Sequence, residues 1–194
     1  MKTTRLAVLC AAVALAGCTL DLEQPSAKAL LATADAPAAD GATFGDAVAY
    51  GKIARVCDAP RAPGTRVAEA GGFTLYDSDP SSTQMRAQYL TGFDDGCARQ
   101  FSAALVLTGD VKSHELVRYL PGHPASFNGT DRAYEAIKAR YCGVGQGSPC
   151  GRKLDSLSRS TTFLTAYRSF GSGPQWVEIL LHDGDVAAID YKTH

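Results

Sequence analysis

The chain has 194 residues, 45% of them hydrophobic, with 19 basic against 20 acidic side chains and a formal net charge of −1. That length suits one domain with a short extension, and the balanced charge, without a long run of either sign, gives no support to nucleic-acid binding or to polybasic recognition of lipid headgroups. Six cysteines in so small a chain turn attention to its compartment and to crosslinking.

Lys2 and Arg5 precede an uncharged run from Leu6 to Gly17, which has the layout of an export signal over residues 1–17. The run is too short for a bilayer-spanning helix, which needs about 20 apolar residues, and the acidic, proline-bearing segment from Asp21 to Pro25 ends it. Leu15-Ala16-Gly17-Cys18 resembles the lipobox of bacterial lipoproteins. The resemblance implies cleavage before Cys18, a diacylglyceryl group on its sulfur and a fatty acyl group such as palmitate on its new amino terminus. Several chains are needed because a single one holds a protein only marginally, at about 0.8 kcal/mol per buried CH₂. Thr19 in place of aspartate is similar to the outer-membrane-sorted group, which places the chain on the periplasmic face of that membrane. Ala14-Leu15-Ala16 also fits an ordinary cleavage site, which would leave a soluble periplasmic or secreted protein.

Cys10 leaves with the signal and Cys18 is taken by lipid, so Cys57, Cys97, Cys142 and Cys150 remain. An oxidising compartment pairs such a set as disulfides. The flexible Gly143–Pro149 loop lets Cys142 close on Cys150, which leaves Cys57 for Cys97. No close pair and no neighbouring histidine suggests a zinc site.

Residues 18–42, rich in Ala, Asp and Pro, read as a tether that spans roughly 80 Å at about 3.3 Å per residue when fully extended. The folded part is expected over residues 43–194. Thr43 reads as the N-cap of a helix whose stripe is Ala49, Ile53, Val56 and Cys57, stopped by Pro60. Gly72–Asp77 and Arg86–Phe93 read as strands, Asp95-Gly96 as a tight hairpin turn, and Phe101–Thr108 as one buried strand. A helix capped by Ser113 runs to Pro121. Another, capped by Thr130, carries Tyr134, Ile137 and Tyr141 on one face and ends at Gly143. Ser160–Phe170, Gln175–His182 and the stretch after Asp183-Gly184 form a second meander. Tyr50, Ile53, Arg55 and Cys57 echo Tyr134, Ile137, Arg140 and Cys142, so the halves read as a candidate duplication of helix, strand, strand, turn and strand.

The candidate sites are sparse. Gly45–Lys52 departs from a phosphate loop in its glycine spacing and has Ile53 where the magnesium-binding hydroxyl belongs. His114-Glu115 opens like a zinc-protease helix, but Arg118 stands at the second ligand position and cannot bind a metal. His114 and His123 then read as solvated surface histidines. Asp94, Asp95, Asp183 and Asp185 are explained by turn chemistry. His182 beside Asp183 is a candidate base with an orienting acid, yet the sequence offers no nucleophile motif to join them. Tyr89, Phe93, Tyr167, Trp176 and His182 remain as a candidate ligand or partner surface.

These elements predict an α+β fold with an antiparallel sheet of about six strands in two three-strand meanders, helices on one face and two disulfide staples. The succession of elements is similar to PAS-like and profilin-like sensor domains, a resemblance of topology without a motif. The expected function is a noncatalytic, outer-membrane-anchored interaction or assembly module, with the membrane and an envelope protein as partners and with neither metal nor cofactor. A small-ligand-binding or sensing domain is the alternative, followed by an envelope hydrolase using His182, His114 or His123.

Overall fold

A computed structural model of the chain describes residues 38–39, 41–121, 127, 129–171 and 173–193. The signal segment, Cys18, most of the tether and His123 lie outside the described residues. Among the described residues, ten strands form two sheets. In the first, β1 (Ala38–Ala39), β2 (Ile53–Val56), β3 (Thr65–Ala70), β4 (Phe73–Asp77), β5 (Arg86–Thr91) and β6 (Ala98–Ala103) lie in the order β1-β2-β6-β5-β4-β3. Only the β1–β2 pair is parallel. In the second, β7 (Leu105–Asp110), β8 (Thr161–Tyr167), β9 (Gln175–His182) and β10 (Asp185–Thr193) lie antiparallel in the order β10-β9-β8-β7. Helices α1 (Val111–Arg118), α2 (Gly129–Cys142) and α3 (Leu154–Leu157) complete the fold. Among the described residues no helix is long and apolar enough to cross a membrane.

The layers follow from side-chain alternation. Phe73, Leu75, Leu90 and Phe101 of the first sheet meet Leu164, Ala166, Val177, Ile179 and Leu181 of the second in one buried cluster. Phe163, Leu180 and Ala188, on the other face of the second sheet, pack against Val111, Tyr134, Ile137 and Leu157 of the helices. β8 and β9 are therefore covered on both faces, which is why Phe163-Leu164 and Ile179-Leu180-Leu181 are consecutive buried apolar residues instead of alternating with polar ones. The α+β class with antiparallel sheets and disulfides is as expected. The strands, however, divide into two sheets packed face to face, unlike the single sheet of the PAS-like topology.

Four local expectations are corrected. Thr43–Cys57 is not a helix. Gly45 and Gly51 take left-handed φ values of 91° and 83°, and Asp46 turns back on Thr43 through N–H to O and N–H to Oδ2 bonds of 3.0 Å each. Ile53 and Val56 belong to β2, where branched side chains pack well. The supposed helix instead lies over the outer face of the first sheet, where the carbonyls of Asp46 and Val48 accept from Gln100 and Ser102. Without that helix the proposed duplication has no common first element.

The expected strand Phe101–Thr108 is two strands in different sheets. The chain changes sheet at Ala103 and Ala104, both almost wholly buried, where small side chains let it pass between the layers. The Ala104 amide donates to Tyr167 O at 2.9 Å and its carbonyl accepts from Arg86 Nη1 at 2.8 Å. Helix α1 is capped by Asp110, whose carboxylate accepts the Ser113 amide at 2.8 Å, rather than by Ser113. Helix α2 begins at Gly129, and Thr130 is buried inside its first turn, donating to Glu178. Gly143, at φ 73°, ends α2 as expected. Strand β3 and helix α3 were not expected.

The disulfides join Cys57 to Cys97, tying the end of β2 to the start of β6, and Cys142 to Cys150, closing the loop after α2. Two carboxylates hold that loop: Glu115 accepts the Cys150 amide at 3.0 Å, and Glu135 accepts the Gly147 amide at 3.0 Å. Helix α1 is inverted in polarity. Beside Val111 it buries Glu115 and Arg118 while leaving Leu116 and Val117 71% and 53% exposed, and Leu120 just past its end is 51% exposed.

Candidate functional site

A cleft of about 740 Å³ opens where the β5–β6 and β9–β10 hairpin tips meet the C-terminal half of α2. Asp94, Asp95 and Arg99 come from the first hairpin, His182, Asp183, Gly184 and Asp185 from the second, and Ile137, Arg140 and Tyr141 from the helix. Both hairpins turn at Asp-Gly pairs, but differently. Asp183 and Gly184 both take positive φ, 47° and 74°, as a two-residue turn of this kind requires. Of the Asp95-Gly96 pair only Gly96 does, and its amide donates to Phe93 O at 3.0 Å, so Asp94 and Asp95 sit at the head of a wider turn.

The two tips are bonded to each other. The Asp94 amide donates to Gly184 O at 3.1 Å, and the Asp183 amide to Ser160 O at 2.8 Å. A Cβ on Gly184 would fall 2.1 Å from Asp94 Oδ1, so the Asp94 carboxylate lies directly against this glycine.

Asp95 is the fixed anion of the cleft. Its carboxylate accepts from Arg55 Nε at 2.6 Å, Arg99 Nη2 at 2.9 Å and the Cys97 amide at 3.0 Å. Burial alone would raise its pKa, but the hydrogen bonds from Arg99 and Arg55 and the Cys97 amide hold it well below the usual carboxylate range. Arg99 also lies 4.4 Å above the Phe93 ring, which supports it from beneath.

His182 is half-buried, with Nδ1 bonded to the Thr161 hydroxyl at 2.8 Å. Burial depresses its pKa below the ordinary histidine value, outweighing the upward pull of Asp183, and Arg140 adds to the depression. The ring is therefore neutral at neutral pH. No serine, threonine or cysteine lines this cleft among the described residues. The carboxylates of this preformed wall can bind positive charge and accept hydrogen bonds, and Arg140 can bind negative charge and donate them.

The structure distributes the remaining candidate residues. Tyr89 and Phe93 are 3% and 6% exposed and belong to packing, Tyr89 against Phe44 and Phe93 against Phe73, so they offer no surface. Tyr167 and Trp176 are half-buried cross-strand partners with ring centroids 6.4 Å apart. Of the five proposed surface residues, only His182 lines the cleft. His114 is not a solvated surface histidine. It stacks on Phe163 at 4.1 Å, and burial lowers its pKa to about 4. Among the described residues no group of His, Cys, Asp or Glu is arranged to hold a metal ion.

Sequence reasoning missed Arg99 and Arg140 as site residues and treated Asp94, Asp95 and Asp185 only as turn formers, with Asp183 considered besides as an orienting acid for His182. The available signal was the doubling of acids at two Asp-Gly turns, Asp94-Asp95-Gly96 and Asp183-Gly184-Asp185. What it lacked was any indication that the two turns meet. No protein-family model, no curated protein and no solved structure matches the chain.

Proposed function

We propose that the chain is a noncatalytic envelope lipoprotein, anchored through Cys18 to the periplasmic face of the outer membrane, which binds a small polar ligand in the cleft between its hairpin tips and α2. The cleft carries the reading: about 740 Å³ falls within the ~300–1,000 Å³ of small-molecule sites. Its walls are fixed in advance by the Asp94–Gly184 bond and by the clamp of Arg55 and Arg99 on Asp95, so a ligand need not order them. The anchor rests on the lipobox resemblance.

Two measurements test the two parts. Mass spectrometry of the mature amino terminus is expected to find an acylated Cys18, and an unmodified one removes the anchor. A ligand screen followed by amide NMR is expected to move the resonances of residues 94–99 and 182–185 together. Binding that moves only other parts of the surface removes the cleft from the reading.

The exposed apolar patch of Leu116 and Val117 on α1 and Leu120 just after it favours a second reading, in which an envelope protein docks there. Crosslinking from position 116 in intact cells tests it, and the absence of any specific adduct counts against it.

A further inference from the structure

The cleft takes its chemical character from charges the fold leaves unpaired. Asp95 is already neutralised by two arginines and has little to offer a ligand. Asp94 and Asp183 make no ion pair among the described residues, and Asp185 accepts only the amide of Val186. The Asp94 carboxylate abuts Gly184, the residue between Asp183 and Asp185, and all three aspartates line the cavity. A fold that needed these acids only for their turns would gain by separating or pairing them, because adjacent like charges repel. Instead the Asp94–Gly184 bond holds the two acidic tips together.

The helical wall is of the opposite sign. Arg140 is exposed and makes no ion pair among the described residues, and Tyr141 beside it, 38% exposed, supplies an apolar surface. The cavity thus presents three free carboxylates, one free guanidinium, a neutral imidazole and an apolar patch.

Resting on the reading of this cleft as a ligand site, we propose that it binds a zwitterion with surplus positive charge: an amino acid or short peptide with two amines and one carboxylate. The amines lie on the hairpin carboxylates and the carboxylate on Arg140. Charge-assisted hydrogen bonds to a preformed acidic wall give the amines their affinity. A guanidinium fork suits a carboxylate better than any neutral end group. A simple cation would leave Arg140 unused, and an anion would be repelled by three acids.

The test is calorimetry at low salt on the full chain in detergent micelles, with the dipeptide Lys-Ala as probe. Acetylating both amines is expected to abolish binding, and converting the carboxylate to an amide to weaken it about tenfold, the effect of one lost charged contact. Arg140→Gln is expected to weaken Lys-Ala about tenfold while leaving the amide unchanged, because the lost contact is already absent there. Asp183→Asn, which keeps a residue tolerant of the left-handed turn, is expected to weaken both. Failure of Lys-Ala to bind at millimolar concentration, equal binding of its acetylated form, or equal losses for acid and amide in Arg140→Gln overturns the proposal. If a neutral disaccharide or inorganic phosphate moves the hairpin resonances and Lys-Ala does not, the cleft remains a ligand site and only the ligand class falls.

Discussion

Replacing Lys138 by methionine tests whether the helical layer is held by its buried charges. Lys138 is completely buried, and its Nζ lies 2.6 Å from Oε2 of Glu135, itself 4% exposed. Tyr119 completes the group, donating to Glu135 Oε1 at 2.6 Å and accepting from Lys138. Methionine fills the space of the lysine stem but leaves the carboxylate to the more distant Arg118, whose Nε lies 4.0 Å from it. Removing one member of a buried pair costs about 3–5 kcal/mol. Glu135 keeps the Tyr119 hydroxyl and the Gly147 amide, so the lower end, about 3 kcal/mol, is expected, a large share of the ~5–15 kcal/mol of a typical domain.

The sign of the pH dependence distinguishes this from a packing defect. Burial pushes the Glu135 carboxyl upward, but Lys138, Tyr119 and the Gly147 amide together hold it below its ordinary value. Its folded pKa lies below the unfolded one, so the wild-type protein draws stability from it at neutral pH and loses that as the pH falls through the carboxylate range. Without Lys138 the largest of these lowering influences is gone and the folded pKa rises from its wild-type position, so the deficit shrinks as the pH falls through the carboxylate range. Urea unfolding of both proteins at pH 7 and pH 4 measures this. A loss below about 1 kcal/mol at pH 7, or a deficit that is the same at both pH values, would refute the reasoning. The double variant with Glu135→Gln is expected to recover part of the loss, since no buried charge is then left alone.

Four further outcomes follow from the same structure. Leu116→Ser and Leu120→Ser are expected to change stability by no more than about 0.5 kcal/mol in urea titration, although a reading of hydrophobicity alone would rank them above Lys138. Gly184→Ala is expected to destabilise by about 1–3 kcal/mol, because its φ of 74° is left-handed and the new Cβ would meet the Asp94 carboxylate; an unchanged melting temperature contradicts the hairpin contact. His114, neutral when folded with a pKa of about 4 against 6.5, stabilises the protein above pH 6.5 and loses that contribution as the pH falls toward 4, about 3 kcal/mol in full. In His114→Phe this part of the pH slope should vanish. Replacing both cysteines of the Cys57–Cys97 bridge by serine should cost about 4 kcal/mol and those of Cys142–Cys150 about 2.5 kcal/mol, since the loops they close span 40 and 8 residues; the reverse order would show that loop entropy is not what separates them.

The elements most legible in the sequence carry their own local cause. Asp183-Gly184 specifies its turn because both positions need left-handed backbone, which glycine adopts freely and aspartate tolerates. The Gly143–Pro149 loop let Cys142 find Cys150 for the same kind of reason. Residues 43–57 were misread because the spacing of Ile53, Val56 and Cys57 fits a helical stripe, while strand pairing with β6 and two left-handed glycines override it. Helix α1 was placed approximately but its cap was not, since Asp110 and Ser113 are both good N-cap residues and only the end of β7 selects between them.

By itself the sequence determined the α+β class, the disulfide partners, most strands and the two Asp-Gly hairpins, because turn chemistry, side-chain period and loop closure act over a few residues. Only the tertiary structure decided that Phe101–Thr108 crosses between two sheets, that α1 turns its charges inward, and that hairpins almost ninety residues apart bring Asp94 against Gly184. Those outcomes depend on which distant surfaces cover each other, and the partner that neutralises Asp95 or leaves Asp183 unpaired is set by packing that no local pattern encodes.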